Sequence, residues 1–154
     1  MADALTLRRA RAEDADAIRT LTREAYAKWV GVTGREPLPM RVDYNEAVKK
    51  HRFDLLYSGS ALVALIETVP DGDHLLIENV AVSPAAQGRG FGKRLMKHAE
   101  ELAATSGLKG TRLYTNKLFT ANLLLYEALG YRVDREEALN SGIAVHMSKA
   151  CAGR

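Results

Sequence analysis

The spacing of hydrophobic positions changes several times along the chain, and each change marks an element. L-T-L-R-R-A (5–10) alternates like a short strand. In the segment that follows, Ile18, Leu21, Ala25 and Trp29 recur at helical spacing, and Gly31 and Gly34 are expected to stop the helix. G-R-E-P-L-P-M (34–40) holds two prolines two residues apart, which predicts an extended loop and not a helix. Tyr44 to Lys50 fits a second, short helix. F-D-L-L-Y-S (53–58) and A-L-V-A-L-I-E-T-V (61–69) read as strands joined by a hairpin turn, and P-D-G-D (70–73) is a turn before the strand L-L-I-E-N-V-A-V (75–82).

Beyond a glycine-rich loop the period becomes helical again. Phe91, Leu95, Ala99 and Leu102 share one face of a helix that ends near Gly107. T-R-L-Y-T-N (111–116) is a strand, A-N-L-L-L-Y-E-A-L (121–129) a helix ended by Gly130, and 131–134 with 143–148 a closing strand pair. This order predicts an α/β sandwich around a mixed, mainly antiparallel sheet. With no linker or repeat in its 154 residues, the chain reads as one domain, 1–154.

Composition narrows the function. The chain is 47% hydrophobic and 27% charged, as in globular proteins, and no apolar run is long enough to span a bilayer. With no signal-peptide core at the start, a cytoplasmic location is expected. The net charge of +3 comes from scattered basic residues, which argues against a nucleic-acid partner but still favours an anionic small molecule. The single cysteine, Cys151, near a frayed terminus, reads as incidental, and the four histidines have no metal-ligand spacing, so no metal site is expected.

The glycine loop is S-P-A-A-Q-G-R-G-F-G-K-R, from Ser83 to Arg94. A P-loop would need glycine where Gln87 stands and Ser or Thr where Arg94 stands. A dinucleotide fingerprint would need glycine where Lys93 stands. Both fail. A strand nonetheless runs through glycines into a helix N-terminus, where free N–H groups favour a pyrophosphate. Lys93 and Arg94 sit in the first turn, against the helix dipole, and an anion would relieve that conflict. The simpler alternative is a tight strand-to-helix connection.

With Gln87-Gly88-Arg89-Gly90-Phe91-Gly92 preceded by N-V-A-V-S-P and followed by Asn122…Tyr126…Gly130-Tyr131, the sequence resembles the GNAT N-acetyltransferase superfamily from about Leu5 to Lys149. The resemblance implies a GNAT-like fold whose central sheet splays open to hold acetyl-CoA. It implies that Val80, Ala81 and Val82 offer backbone groups to the pantetheine arm. The N–H groups of Gln87, Gly88, Arg89, Gly90, Phe91, Gly92 and Lys93 would cradle the pyrophosphate, and Asn122 would lie by the pantetheine. The implied activity is direct transfer of an acetyl group from acetyl-CoA to an amine. In that scheme the Val82 N–H polarises the thioester carbonyl and Tyr126 gives a proton to the sulfur. From pattern alone, Tyr126 reads as a core residue on the face of Leu123 and Leu129; Asn122 and the glycine loop tip the reading to the acid. Dimers are common in the family, so a homodimer is one state to test.

For the base, Glu78 interrupts an apolar strand just before V-A-V. Simple alternation places Leu76, Glu78, Val80 and Val82 on one face. A carboxylate among apolar neighbours would have a raised pKa, suited to a general base. It could equally face solvent or pair with Arg112. Glu67 and His74 are weaker candidates, and His146 reads as a core or surface histidine. The acceptor, a small-molecule or peptide amine, is expected against Tyr26, Trp29, Met40, Tyr44 and Asn116, with Arg35, Pro37 and Pro39 completing a rigid lid; Trp29 could instead simply pack its helix on the sheet. Fold does not fix function. A non-catalytic acyl-CoA sensor or partner-binding module on the same fold is the alternative.

Overall fold

The computed structural model describes residues 4–140 and 142–151. Strand β1 (Leu5–Arg9) leads into helix α1 (Ala15–Thr33) and helix α2 (Tyr44–Lys50). Strands β2 (Arg52–Ser58), β3 (Ala61–Asp71) and β4 (His74–Val82) form the meander. Helix α3 (Phe91–Thr105), strand β5 (Gly110–Asn116), helix α4 (Thr120–Ala128) and strands β6 (Arg132–Leu139) and β7 (Gly142–Ala150) complete the fold. Among the described residues the sheet has seven strands in the order β1-β2-β3-β4-β5-β7-β6, and only β4 and β5 pair in parallel. The expected mixed, mainly antiparallel α/β sheet flanked by helices is thus observed.

Two cores cover the sheet. Ile18, Leu21 and Ala25 of α1, with Tyr44 and Ala47 of α2, pack on Phe53, Leu55 and Leu65. On the other face Phe91, Leu95, Met96 and Ala99 of α3 pack on Leu56, Ile66, Leu75 and Ile77. Both faces of β2 and β3 are therefore apolar, which is why their sequences read as continuous runs and not as alternation. A side chain as buried as Leu95 contributes about 1.5–3 kcal/mol. Among the described residues no helix is long and apolar enough to cross a membrane.

Several boundaries differ from those expected. Helix α1 runs through Gly31, on its exposed side, and ends at Gly34, whose φ of 76° needs glycine and whose N–H bonds Val30 O at 2.8 Å. One exposed glycine costs only about 1 kcal/mol, less than the packed face supplies. Leu38–Met40 winds into a single 3-10 turn, with Pro39 in its first positions. Strand β3 continues through Pro70 because β2 stops pairing at Thr68, so the missing N–H leaves no ladder bond unmade. Cys151 is half-buried rather than frayed: its N–H bonds Lys109 O at 2.9 Å and its thiol reaches Leu108 O at 3.3 Å.

Two irregularities shape the centre. The β4–β5 ladder joins only His74–Leu76 to Gly110–Arg112, after which the strands part. In the β3–β4 ladder Glu67 faces Asn79 while Thr68 faces Ile77, so Glu78 is an extra residue without a partner. This β-bulge corrects the expected facing. Alternation is reset at Glu78, and Val80 and Val82 join Leu75 and Ile77 on the α3 side. Glu78 therefore does not share a face with Val80 and Val82, whereas Leu76, before the bulge, keeps its alternation with Ile77.

Candidate active site

Where β4 and β5 separate, a cleft of about 510 Å³ opens between the sheet and the lid that follows α1. Tyr26, Tyr44, Glu78, Asn116, Asn122 and Tyr126 all line it. Four elements and the bulge thus bring together residues spread over a hundred positions of sequence. Val80 lines it as well, while Ala81 is buried against the α1 core. The edge of β4 beyond Leu76 has no strand partner toward β5, so it can bind an extended ligand in the manner of an added strand.

Glu78 projects from the bulge and accepts a hydrogen bond from Tyr114 Oη at 3.0 Å. Arg112, its alternative partner in the sequence, is instead 2.9 Å from Asp71. Burial and the neighbouring Glu78 charge push the Tyr114 phenol up to about 12. Tyr126 lies one helical turn beyond Asn122 on the same side of α4. Its ring packs against the core, 6.1 Å from the ring of Tyr131, and burial raises its phenol to about 12. The residue thus packs on the core and also lines the cleft. Tyr26 donates to Asn79 Oδ1 at 2.8 Å, and burial raises its phenol well above the ordinary value.

Two His–Glu pairs flank the cleft. On the α2 side, His51 Nδ1 is 2.6 Å from Glu67 Oε2, and both residues line the cavity. Glu67 is only 4% exposed, and its burial raises the carboxyl pKa against the opposing pull of His51. On the β7 side, His146 Nε2 is 2.9 Å from Glu137 Oε1, and the His146 ring lies 5.6 Å from that of Tyr114. His74 is elsewhere, at the β3–β4 turn beside Asp73. Among the described residues, no three His, Cys, Asp or Glu side chains gather as metal ligands.

The glycine loop follows β4 beyond the cleft. Gly88 and Gly90 have φ values of 82° and 80°, and a Cβ at either would meet nothing within 4 Å. These glycines serve the chain's path and leave open space outside it. The first α3 bond runs from Arg94 N–H to Gly90 O at 3.0 Å, so the preceding N–H groups have no intrahelical acceptor. Gln87, exposed, turns back so that its Nε2 lies 3.4 Å from Val82 O. Arg89 is exposed, Phe91 is buried under the helix, and Gly92 stands 3.7 Å from Val82 Cγ2 by its would-be Cβ. Gly90, Lys93 and Arg94 border a separate shallow hollow, shared with Lys97 and Lys149. No acidic residue occupies the first turn of α3.

Of the expected acceptor residues, Tyr26, Tyr44 and Asn116 line the cleft, while Trp29 and Met40 are set back from it. Trp29 stacks on Phe119 with centroids 4.4 Å apart, and Met40 is buried beneath the lid. Tyr44 donates to Pro39 O at 2.6 Å, which ties α2 to the lid. Sequence reasoning missed His51, Asn79 and Tyr114 as cleft residues. Tyr114 was within reach, since it alternates with Asn116 on β5. His51 was hidden in the run Lys49-Lys50-His51-Arg52, which reads as a solvated surface.

Comparison with known proteins agrees with this architecture. Residues 15–131 match the model of the acetyltransferase (GNAT) family. The PaiA N-acetyltransferase of Thermoplasma acidophilum, solved with coenzyme A, superposes with a TM-score of 0.80 over 96% of this chain and 99% of its own, at 18% identity. The ribosomal-protein-S18-alanine N-acetyltransferase of Escherichia coli gives a TM-score of 0.74 over 98% of this chain and 96% of its own, also at 18% identity. Mouse N-alpha-acetyltransferase 80 is 38% identical over 71 residues, which are 46% of this chain but only 21% of that relative's length. With the family's pattern over most of its length and the splayed sheet that goes with it, the chain belongs to the GNAT acetyltransferase family.

Proposed function

We propose that this protein transfers an acetyl group from acetyl-CoA directly to a primary amine of a small molecule or a peptide. The observation that carries this reading is the convergence of Glu78, Val80, Asn122 and Tyr126 on one cleft at the parting of β4 and β5. The thioester arm would lie along Val80, Ala81 and Val82, with its pyrophosphate at the loop from Gln87 to Lys93 and Asn122 beside the arm. The Val82 N–H would polarise the thioester carbonyl. The mouse relative is named for N-alpha acetylation and the E. coli neighbour for an alanine of a ribosomal protein, so peptides with free N-termini belong in any acceptor panel.

The amine nitrogen attacks the carbonyl carbon, and a C–N bond forms as the oxygen becomes an oxyanion. Glu78 accepts the proton that the nitrogen sheds, directly or through a water. Collapse restores the carbonyl and breaks the C–S bond. A phenol near 12 is a weaker acid than a thiol at about 8.5, so complete transfer from Tyr126 to a free thiolate is uphill. Tyr126 therefore acts as a hydrogen-bond donor to the sulfur while charge builds, and the proton released at nitrogen restores neutrality.

The test is calorimetric titration with acetyl-CoA, followed by free-thiol release across an amine and peptide panel. Binding with release for one acceptor class supports the transferase. Binding without release across the panel would return the non-catalytic acyl-CoA sensor, and no binding would overturn the assignment of the loop.

A further inference from the structure

A primary amine reaches the cleft as an ammonium, which has no lone pair to attack with. The overall change, ammonium plus thioester to amide plus thiol, releases one proton. A second proton moves from nitrogen to sulfur. Two proton-handling steps are therefore needed, and Glu78 at the bulge accounts for the proton that nitrogen sheds as the C–N bond forms.

The opposite wall of the cleft supplies groups for the other. His51 caps the C-terminus of α2, its N–H bonding Ala47 O at 2.8 Å, and this fixes the base of its side chain. Glu67 lies on β3 opposite Asn79, one position from the bulge, and holds His51 Nδ1 at 2.6 Å. With the Nδ1 proton donated to the carboxylate, the lone pair is left on Nε2. Among the described residues the His51 side chain bonds only through Nδ1, and it keeps 30% of its surface exposed while that of Glu67 keeps 5%. An imidazole backed by a buried carboxylate and open at its other nitrogen is the arrangement of a general base, with the carboxylate stabilising the imidazolium that forms. The His146–Glu137 pair lacks this character. The Glu137 side chain is 43% exposed and also stands 3.9 Å from Arg135, so solvent and a second cation share its charge.

We propose that His51, held and oriented by Glu67, removes the proton from the incoming ammonium before attack. This rests on the transferase reading above. In the step, the N–H bond of the ammonium breaks, its electron pair stays on nitrogen as the nucleophile, and the proton passes to His51 Nε2. The imidazolium, paired with the Glu67 carboxylate, then returns the proton to solvent. Glu78, Tyr26, Tyr44 and Tyr114 are the other titratable groups that act on Glu67 from the neighbouring elements, and only Glu78 is a carboxyl.

The test compares wild type with His51→Gln and Glu67→Gln, using kcat/KM for the amine from pH 6 to pH 10 and calorimetric affinity for acetyl-CoA. At neutral pH, His51→Gln is expected to lose about 10²-fold in kcat/KM. Near pH 10, where an α-amino group is almost wholly free base and an alkyl amine about a quarter so, the loss should shrink to a few-fold. Glu67→Gln should follow the same pH pattern with a smaller loss, and added imidazole should partly restore a His51→Ala variant. Acetyl-CoA affinity should be unchanged in each. A loss equal at both pH values, or no loss, in folded variants would overturn the proposal and leave the transferase intact. A wild type that releases no thiol with any amine would instead remove the transferase reading, and this role with it.

Discussion

Tyr114 on β5 donates to Glu78 Oε1 on β4 at 3.0 Å, across the place where the two strands have already ceased to pair. The backbone ladder ends at Leu76 and Arg112, and a side-chain bond bridges the opening instead. A bulge at Glu78 makes this possible, because it turns a residue out of the regular pleat toward the gap.

The two residues should therefore be coupled. Glu78→Gln is expected to lower kcat by about 10²-fold, and Tyr114→Phe by less, because the phenol supports the carboxylate without replacing it. The double variant should lose less than the product of the two, with a coupling of about 1 kcal/mol in a double-mutant cycle. Strict additivity would show that the bond has no part in turnover.

Tyr126→Phe removes a hydroxyl but keeps the ring that packs on the core. Turnover should fall by about 10²-fold, as for loss of one transition-state donor, while acetyl-CoA affinity stays within about twofold. With its phenol near 12, Tyr126 stays protonated below pH 10, so the variant's loss should be independent of pH over that range. Steady-state thiol release and calorimetry measure both quantities; unchanged kcat would leave Tyr126 as packing alone.

Gly90 begins α3 at φ 80°, with open space where a Cβ would point. Gly90→Val should abolish coenzyme binding and cost about 1–3 kcal/mol, since a β-branched residue is strained there. Gly90→Asn separates the two effects, because asparagine tolerates the left-handed region. It should keep most of the stability and still lose affinity. Normal acetyl-CoA binding by a folded Gly90→Asn variant would remove the loop from the coenzyme site.

Away from the cleft, the guanidinium of Arg8 grips Asp14 at 2.8 and 2.9 Å. That grip, helped by the Arg11 N–H and opposed by burial, holds the Asp14 carboxyl below the usual carboxylate range. A lowered folded pKa means stability that is present above the unfolded value, about 3.9, and lost as pH falls through the folded one. Asp14→Asn should therefore cost about 1.5–3 kcal/mol at pH 7 in urea unfolding, and the difference from wild type should narrow progressively in acid. A gap that is constant with pH would show that the charge contributes nothing.

The sequence by itself determined the elements and the class. Helical spacing at Ile18, Leu21 and Ala25, and again at Phe91, Leu95 and Ala99, marks which faces the sheet covers, and the glycines at the start of α3 mark a backbone that only glycine adopts freely. These are local signals, set by period and by φ. The loop, with Asn122 and Tyr126, also made the family legible. Tertiary structure alone decided the rest. The bulge at Glu78 is a property of two paired strands, so alternation within one strand misplaced its neighbours. The pairing of His51 with Glu67 joins a helix end to a strand sixteen positions away, and inside a basic run the histidine looked like surface. The cleft exists because β4 and β5 stop pairing after three residue pairs, and nothing within either strand records where its neighbour turns away.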